Sequence, residues 1–467
     1  MARAVAALTF PDSRTRARCP SAGERSPICH ANMSGTKMPM EATLTQVSDT
    51  DNDLFNLPHC ERMLDPQPVY RELVAKGPVV RVRNPVGTEV YMITHWAEGL
   101  VALNDPRIAK GAQYMQLALA KTGKSGPSSG FPISGAQAGN LLNTDAPEHT
   151  RLRSLVNLAF SPRRLEAMRT MIEKMVDDLT DAMRGRDSAD LIGDFAYPIG
   201  ITVICTMLGV PEDRRADFRQ WAAWAMTPGH SDQERGISLL QDYLVGLIDE
   251  KRAAIPAGTS PDEQPDLLSA MIAARDAKDA LSDEELRSMA YLLLIAGHET
   301  TVGLIGNTLL HLLRNPEQMA LLQADAGLVK QAVEETLRYD GSVHRTTFRV
   351  TIEDVTIGDT TIPRGSFVQI LIAALNRDPA RFENPDRFDI TRTIKQHTAF
   401  GHGPHFCLGS HLARMEAQTA VARVVKSFPQ MALACEPEDI PWVSTVIRGV
   451  QSMPVSLSGA VTVGEPQ

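Results

Sequence analysis

Phe400-Gly401-His402-Gly403-Pro404-His405-Phe406-Cys407-Leu408-Gly409 places one cysteine in a glycine-rich loop. Ser410-His411-Leu412-Ala413-Arg414-Met415-Glu416 follows and reads as the start of a helix. A thiol there sits among backbone N–H groups near the positive end of a helix, and both favour thiolate over thiol. The glycines let the backbone approach a flat, bulky ligand and adopt turns closed to residues with a Cβ. A lone thiolate on such a loop suits an axial haem ligand, where it pushes electron density onto iron and favours O–O cleavage.

Working outward, Ser282-Asp283-Glu284-Glu285 is a capping box. The helix it opens is apolar nearly all round at Met289-Ala290-Tyr291-Leu292-Leu293-Leu294-Ile295, so it is expected to be buried. Inside it stands Ala296-Gly297-His298-Glu299-Thr300-Thr301. A glycine and a charged residue in a core helix are costly. They read either as a packing glycine with a threonine bonded back to the carbonyl four residues earlier, or as a local opening that makes a groove. Glu334-Glu335-Thr336-Leu337-Arg338 sets Glu335 and Arg338 one turn apart on a further helix. Pro147 marks a helix start that presents His149 and Arg153 on one face.

The remaining organisation is coarse. Val79–Arg83 and Glu89–Ile93 alternate at period two around a turn, a hairpin signal. Residues Lys110 to Leu141 show little periodicity and read as a long loop. Helical periodicity then runs from about Pro147 to Tyr339. Strands are expected at Val355–Ile357 and Ser366–Ile370, a long helix after Cys407, and short strands near Val446 and Val455.

The 467 residues are 43% hydrophobic and 22% charged, an ordinary globular balance. Six scattered cysteines with no C-x-x-C pair argue against a disulfide framework or zinc site, and for a reducing compartment. The net charge of −9 gives no footprint for nucleic acid. No uninterrupted run of eighteen apolar residues occurs, so no membrane span is expected. Residues 1–45 are expected to be a disordered extension, and 46–467 a single domain.

In Phe400, Gly401, Gly403, His405, Cys407 and Gly409 the loop resembles the haem-binding signature of the cytochrome P450 family. Ala296-Gly297-His298-Glu299-Thr300 is similar to that family's oxygen-activation motif, and Glu335 and Arg338 to its E-x-x-R pair. The resemblance covers roughly Leu54 to Leu457. It implies the P450 fold, mostly α with a small β-sheet subdomain and haem b between two long helices. It implies Cys407 as the metal ligand, with Ala296, Phe400 and Gly409 beside the cofactor. His149, Arg153, Arg349 and His405 would bind its propionates; Arg349 is chosen over Arg345 from its spacing to Asp354. Thr300 would serve dioxygen and Glu299 would help deliver protons. Glu335, Arg338 and Arg387 would form a buried network fixing the cysteine loop. Where the family often has prolines, this chain has Gly341-Ser342-Val343-His344-Arg345. His344 and Arg345 are read as facing the haem edge or solvent in preference to substrate.

The texture at Thr150-Arg151-Leu152-Arg153 and Val203-Ile204-Cys205-Thr206-Met207-Leu208-Gly209 resembles the actinobacterial macrolide and polyketide hydroxylases. This implies a cytoplasmic monomer that hydroxylates or epoxidises a bulky apolar secondary metabolite. Its electrons would come from ferredoxin and ferredoxin reductase, docking over Arg414 and Arg423. The alternatives are oxidation of a steroid, terpenoid or fatty acid, and a non-catalytic haem-thiolate sensor.

Overall fold

The computed structural model describes residues 54–58, 65–84, 87–122, 139–160, 162–226, 231–256, 258–278, 281–393, 396–444 and 447–458. A helical layer carries most of the core. Leu191–Leu208 and Asp283–Arg314 run through it, with Phe195, Ile199, Ile204, Leu294, Ile305 and Leu309 buried at their contacts. By length and composition both segments could cross a membrane, but 67% of the first and 61% of the second lie inside the protein. They are core helices whose apolar surface is covered by other helices. The reading by uninterrupted apolar runs passed over them because isolated polar residues punctuate each one.

The capping box forms as expected. Ser282 Oγ accepts from Glu285 N at 3.1 Å, and Glu285 Oε2 accepts from Ser282 N at 2.7 Å. That fixes where the Asp283–Gly297 helix begins. The helix then breaks at His298, which has φ −103° and ψ −51°, and resumes as Glu299–Arg314.

Beside the helices lies a six-stranded mixed sheet in the order Phe55–Asn56, Val79–Arg83, Glu89–Ile93, Phe367–Ile370, Arg349–Thr351, Ile108–Ala109. The hairpin pairs Val79 with Ile93 and Arg83 with Glu89, so Val80, Val82, Val90 and Met92 point into a second core. Phe367–Ile370 inserts parallel to the hairpin and antiparallel to Arg349–Thr351. The Val355–Ile357 strand pairs instead with Thr360–Ile362.

One expectation fails here. Ala112–Thr122 is helical, within the stretch read as loop, and its Met115, Ala118 and Leu119 are buried against the hairpin. Tertiary burial of three apolar side chains decides a segment whose own periodicity is weak. Residues 123–138 of that stretch, residues 1–45 and Val446 lie outside the described residues.

Candidate active site

Gly401 and Gly403 adopt φ of +75° and +72°, the left-handed region that favours glycine. These two turns fold the loop back so that Cys407 N donates to Phe400 O at 2.9 Å. Gly409 is the N-cap of the Ser410–Ser427 helix, and its N–H donates to the Cys407 sulfur. The cysteine side chain is exposed, yet burial pushes its thiol up. Both hold for a group that lines an internal cleft and not the outer surface. The Gly409 N–H, Arg153 and Arg414 oppose the burial and do not overcome it.

Five basic side chains converge on one side of this cleft. His149 and His405 stack with ring centroids 4.2 Å apart. His149 Nε2 and Arg349 Nε are buried and find no hydrogen-bond partner among the described residues. Arg153 Nη1 donates to Phe406 O at 2.8 Å, and Arg349 Nη1 to Ile108 O at 3.3 Å. Lys110, only 4% exposed, completes the group. Burial and Arg349 hold its ammonium well below the usual lysine range. Burial, then Lys110 and Arg349, push His405 down to about 2, and burial takes Arg349 down to about 10. Asp145 is the carboxylate that faces them. Its oxygens already accept from Lys110 N at 2.9 Å and Gly111 N at 2.7 Å. A cluster of largely buried basic groups with orphaned polar atoms and one committed acid calls for an anion of about two charges. The two propionates of haem b fit that requirement, and the Cys407 thiol has the chemistry of an iron ligand.

The broken helix presents a second set of candidate side chains. Ala296 is exposed in the middle of an otherwise buried segment, flanked by half-buried Leu292, Leu293, Glu299 and Thr300. A Cβ at Gly297 would meet Ile204 Cδ1, so a larger residue there would require the Ile204 side chain to shift. Side chains replace the interrupted backbone ladder. Thr300 Oγ1 donates to Ala296 O at 2.8 Å and Thr301 Oγ1 to Gly297 O at 3.2 Å. The back-bonded threonine and the open turn, read as alternatives from sequence, coexist. Glu299 Oε1 lies 3.2 Å from Nε2 of the fully buried His298.

Comparison with known proteins agrees with this geometry. Residues 201–441 match the family model for cytochrome P450. Cytochrome P450 107B1 of Saccharopolyspora erythraea is 45% identical over 382 residues, 81% of this chain and 92% of that protein. The chain belongs to the cytochrome P450 family. The 6-deoxyerythronolide B hydroxylase of the same organism is 36% identical over 424 residues, 89% of this chain and 100% of that protein. The solved structure of the tirandamycin C-bound P450 monooxygenase TamI matches with a TM-score of 0.77 at 41% identity, covering 86% of this chain and 100% of that one. This P450 is a haem b monooxygenase that acts on a small molecule with electrons from redox partners.

Three residues stand elsewhere in this P450 than the sequence suggested. Arg338 holds Glu335 in a bidentate pair at 2.8 Å, but the second guanidinium on Glu335 is that of Arg392, at 3.1 Å. Arg387 contributes only its carbonyl, which accepts from Arg338 and Arg392, while its side chain is exposed. The turn closed by Arg387 N on Asn384 O aims that side chain outward. His344 faces neither haem edge nor solvent. It is buried with Nε2 2.9 Å from Asp340 Oδ1, because Asp340 collects His311, His344 and Arg448 in one polar cluster. Arg414 is half-buried, bonded to Glu334 at 2.6 and 3.0 Å and lying 4.4 Å over the Phe400 ring, so it braces the loop. Lys110, Arg392 and Asp340 went unnoticed in the sequence. No spacing marks them, and only burial and partners reveal them.

Proposed function

We propose that Cys407 is the axial ligand and that this P450 hydroxylates or epoxidises a bulky, largely apolar macrolactone-like polyketide. The observation that carries the ligand assignment is the Cys407 sulfur on its glycine-turned loop, beside the Gly409 N–H and within electrostatic reach of Arg153 of the basic cluster. When bound, the haem supplies dioxygen activation, with the thiolate pushing electron density onto iron. Lys110, His149, Arg153, Arg349 and His405 hold its carboxylates. Phe400 and Arg414 shield the sulfur side. Thr300 Oγ1 and the Glu299 carboxylate pass protons across the interrupted turn. Leu292, Leu293 and Ala296 form an apolar wall that keeps water from the reacting carbon, and the small Ala296 leaves room for bulk. Residues 46–467 form one monomeric unit working in the cytoplasm. Ferredoxin and its reductase supply the electrons on the face over Cys407.

The substrate class is supported by the likeness to the 6-deoxyerythronolide B hydroxylase and to the tirandamycin C-bound TamI structure. The test is a spin-state titration against macrolactones, steroids, terpenoids and fatty acids, followed by turnover with NADPH, ferredoxin and reductase. Macrolactones are expected to shift the spin state and yield a product heavier by one oxygen. Tight shifts with a fatty acid or small terpene, and none with macrolactones, overturn the substrate assignment.

A further inference from the structure

Ser342 lies directly after the Val329–Asp340 helix, in the segment where the proline-poor sequence offers little intrinsic stiffness. Its hydroxyl donates to Thr300 O at 2.7 Å. Its own carbonyl accepts from Arg448 N at 2.7 Å. Arg448 belongs to the hairpin formed by Trp442–Ser444 and Arg448–Val450, and its guanidinium reaches the buried Asp340 at 3.4 Å. The adjacent residues Val343 and Ile447, both half-buried, form a β-bridge. One residue therefore bonds the first turn of the oxygen-side helix and the hairpin at once.

Two glycines make that contact as close as backbone allows. A Cβ at Gly303, three residues after Thr300, would stand 2.8 Å from Ser342 Oγ and 3.0 Å from Arg448 O. A Cβ at Gly449 would stand 3.2 Å from Gly303 Cα. With hydrogens at both positions the hairpin rests on the helix and Ser342 reaches Thr300.

We propose that Ser342 is a positioning residue that sets the Thr300 hydroxyl and ties its placement to the hairpin bearing Ile447. The physical reason lies in the interrupted turn. Around His298 the helix has lost its regular ladder and is held by side chains, so a bond to the Thr300 carbonyl controls a soft part of the backbone. Thr300 Oγ1 already binds Ala296 O, and a shift of the Thr300 backbone carries that hydroxyl with it. A substrate pressing on Val343 or Ile447 moves Ser342, and Ser342 moves Thr300. The proposal rests on the reading of Thr300 as the hydroxyl that serves dioxygen.

The experiment compares Ser342→Ala, Gly303→Ala and Thr300→Ala in the holoenzyme. The readouts are product and hydrogen peroxide per NADPH, with whichever compound gives the largest spin shift, and the carbon monoxide difference band. Ser342→Ala is expected to keep that band and the spin-shift affinity, while product per NADPH falls about fivefold and peroxide rises. Fivefold corresponds to about 1 kcal/mol, the scale of one neutral hydrogen bond. Gly303→Ala pushes Ser342 and the hairpin away from the helix, so it should uncouple to a similar degree; combined with Ser342→Ala it should add little. Product per NADPH within twofold of the parent in Ser342→Ala, while Thr300→Ala is uncoupled, overturns the proposal alone. If Thr300→Ala is itself fully coupled, both the Thr300 reading and the proposal fall. If Ser342→Ala does not hold haem, Gly303→Ala decides by the same ratio.

Discussion

Lys110 carries a charge where charge is expensive, 4% exposed among Arg349, His149 and His405. A buried cation persists only with an anion in reach. Lys110→Met should therefore speed haem loss to an apomyoglobin trap roughly 10- to 100-fold, the worth of one charge-assisted bond. Lys110→Arg should lie between, and haem loss at the parent rate in both would remove Lys110 from the cradle. Cys407→Ala should abolish the red-shifted Soret band of the reduced carbon monoxide complex; retention of that band would displace the cysteine as ligand. At this scale the sequence was legible where a motif fixes a residue by contiguous spacing, as in the Cys407 loop and the Glu335–Arg338 turn. It misled where a partner comes from a distant, irregular segment. Arg387 and Arg392 stand five residues apart and both reach the network, one by carbonyl and one by guanidinium, a choice made by the turn at Asn384.

Among the elements, the Val329–Asp340 helix does two jobs with adjacent carboxylates. Glu335 faces Arg338 and Arg392, and Glu334 faces Arg414 and His397. Burial alone would raise the Glu334 carboxyl, but the bonds from His397 and Arg414 hold it down to about 2. A folded carboxyl below its unfolded value adds stability that is present above the ordinary carboxylate range and lost as pH falls toward 2. Glu334→Gln should cost about 2 kcal/mol at neutral pH and flatten that acid loss by about one proton. Urea unfolding followed by haem absorbance from pH 7 to pH 3 measures it; parallel curves for parent and variant would sink the assignment. The capped helix at Asp283 and the Val79–Ile93 hairpin were readable because cap and period are local signals. Ala112–Thr122 was not, since its apolar positions acquire meaning only against the hairpin that buries them.

For the whole molecule, the approach of the proposed ferredoxin depends on which surface charges are only weakly held by internal partners. Arg414 is neutralised by Glu334, so steering falls to residues such as Arg423, whose pair with Asp177 at 3.1 Å is exposed on both sides and weak. First-electron transfer should slow as ionic strength rises. Arg423→Ala should lower the rate severalfold at low salt and little at high salt, as stopped-flow reduction under carbon monoxide can read. A rate indifferent to salt would point to an apolar contact. At this scale the P450 fold followed from the resemblance of motifs that stand in the family's order: His149 and Arg153, then the broken helix, then Glu335 and Arg338, then the cysteine loop. What order could not supply was the lateral arrangement of the hairpin, the polar cluster and the oxygen-side helix.

That arrangement bears on laboratory evolution. Gly303 and Gly449 touch through bare backbone, so any larger side chain at either lifts the hairpin that carries Ile447. Libraries that enlarge the cavity through these positions will disturb the Ser342 bond in the same stroke. Broader substrate acceptance and wasted reducing power should then be inherited together, and a screen scored only on conversion would select for leaky catalysts. Diversity placed at Leu292 and Leu293, on the helix before its break at His298, leaves that linkage untouched.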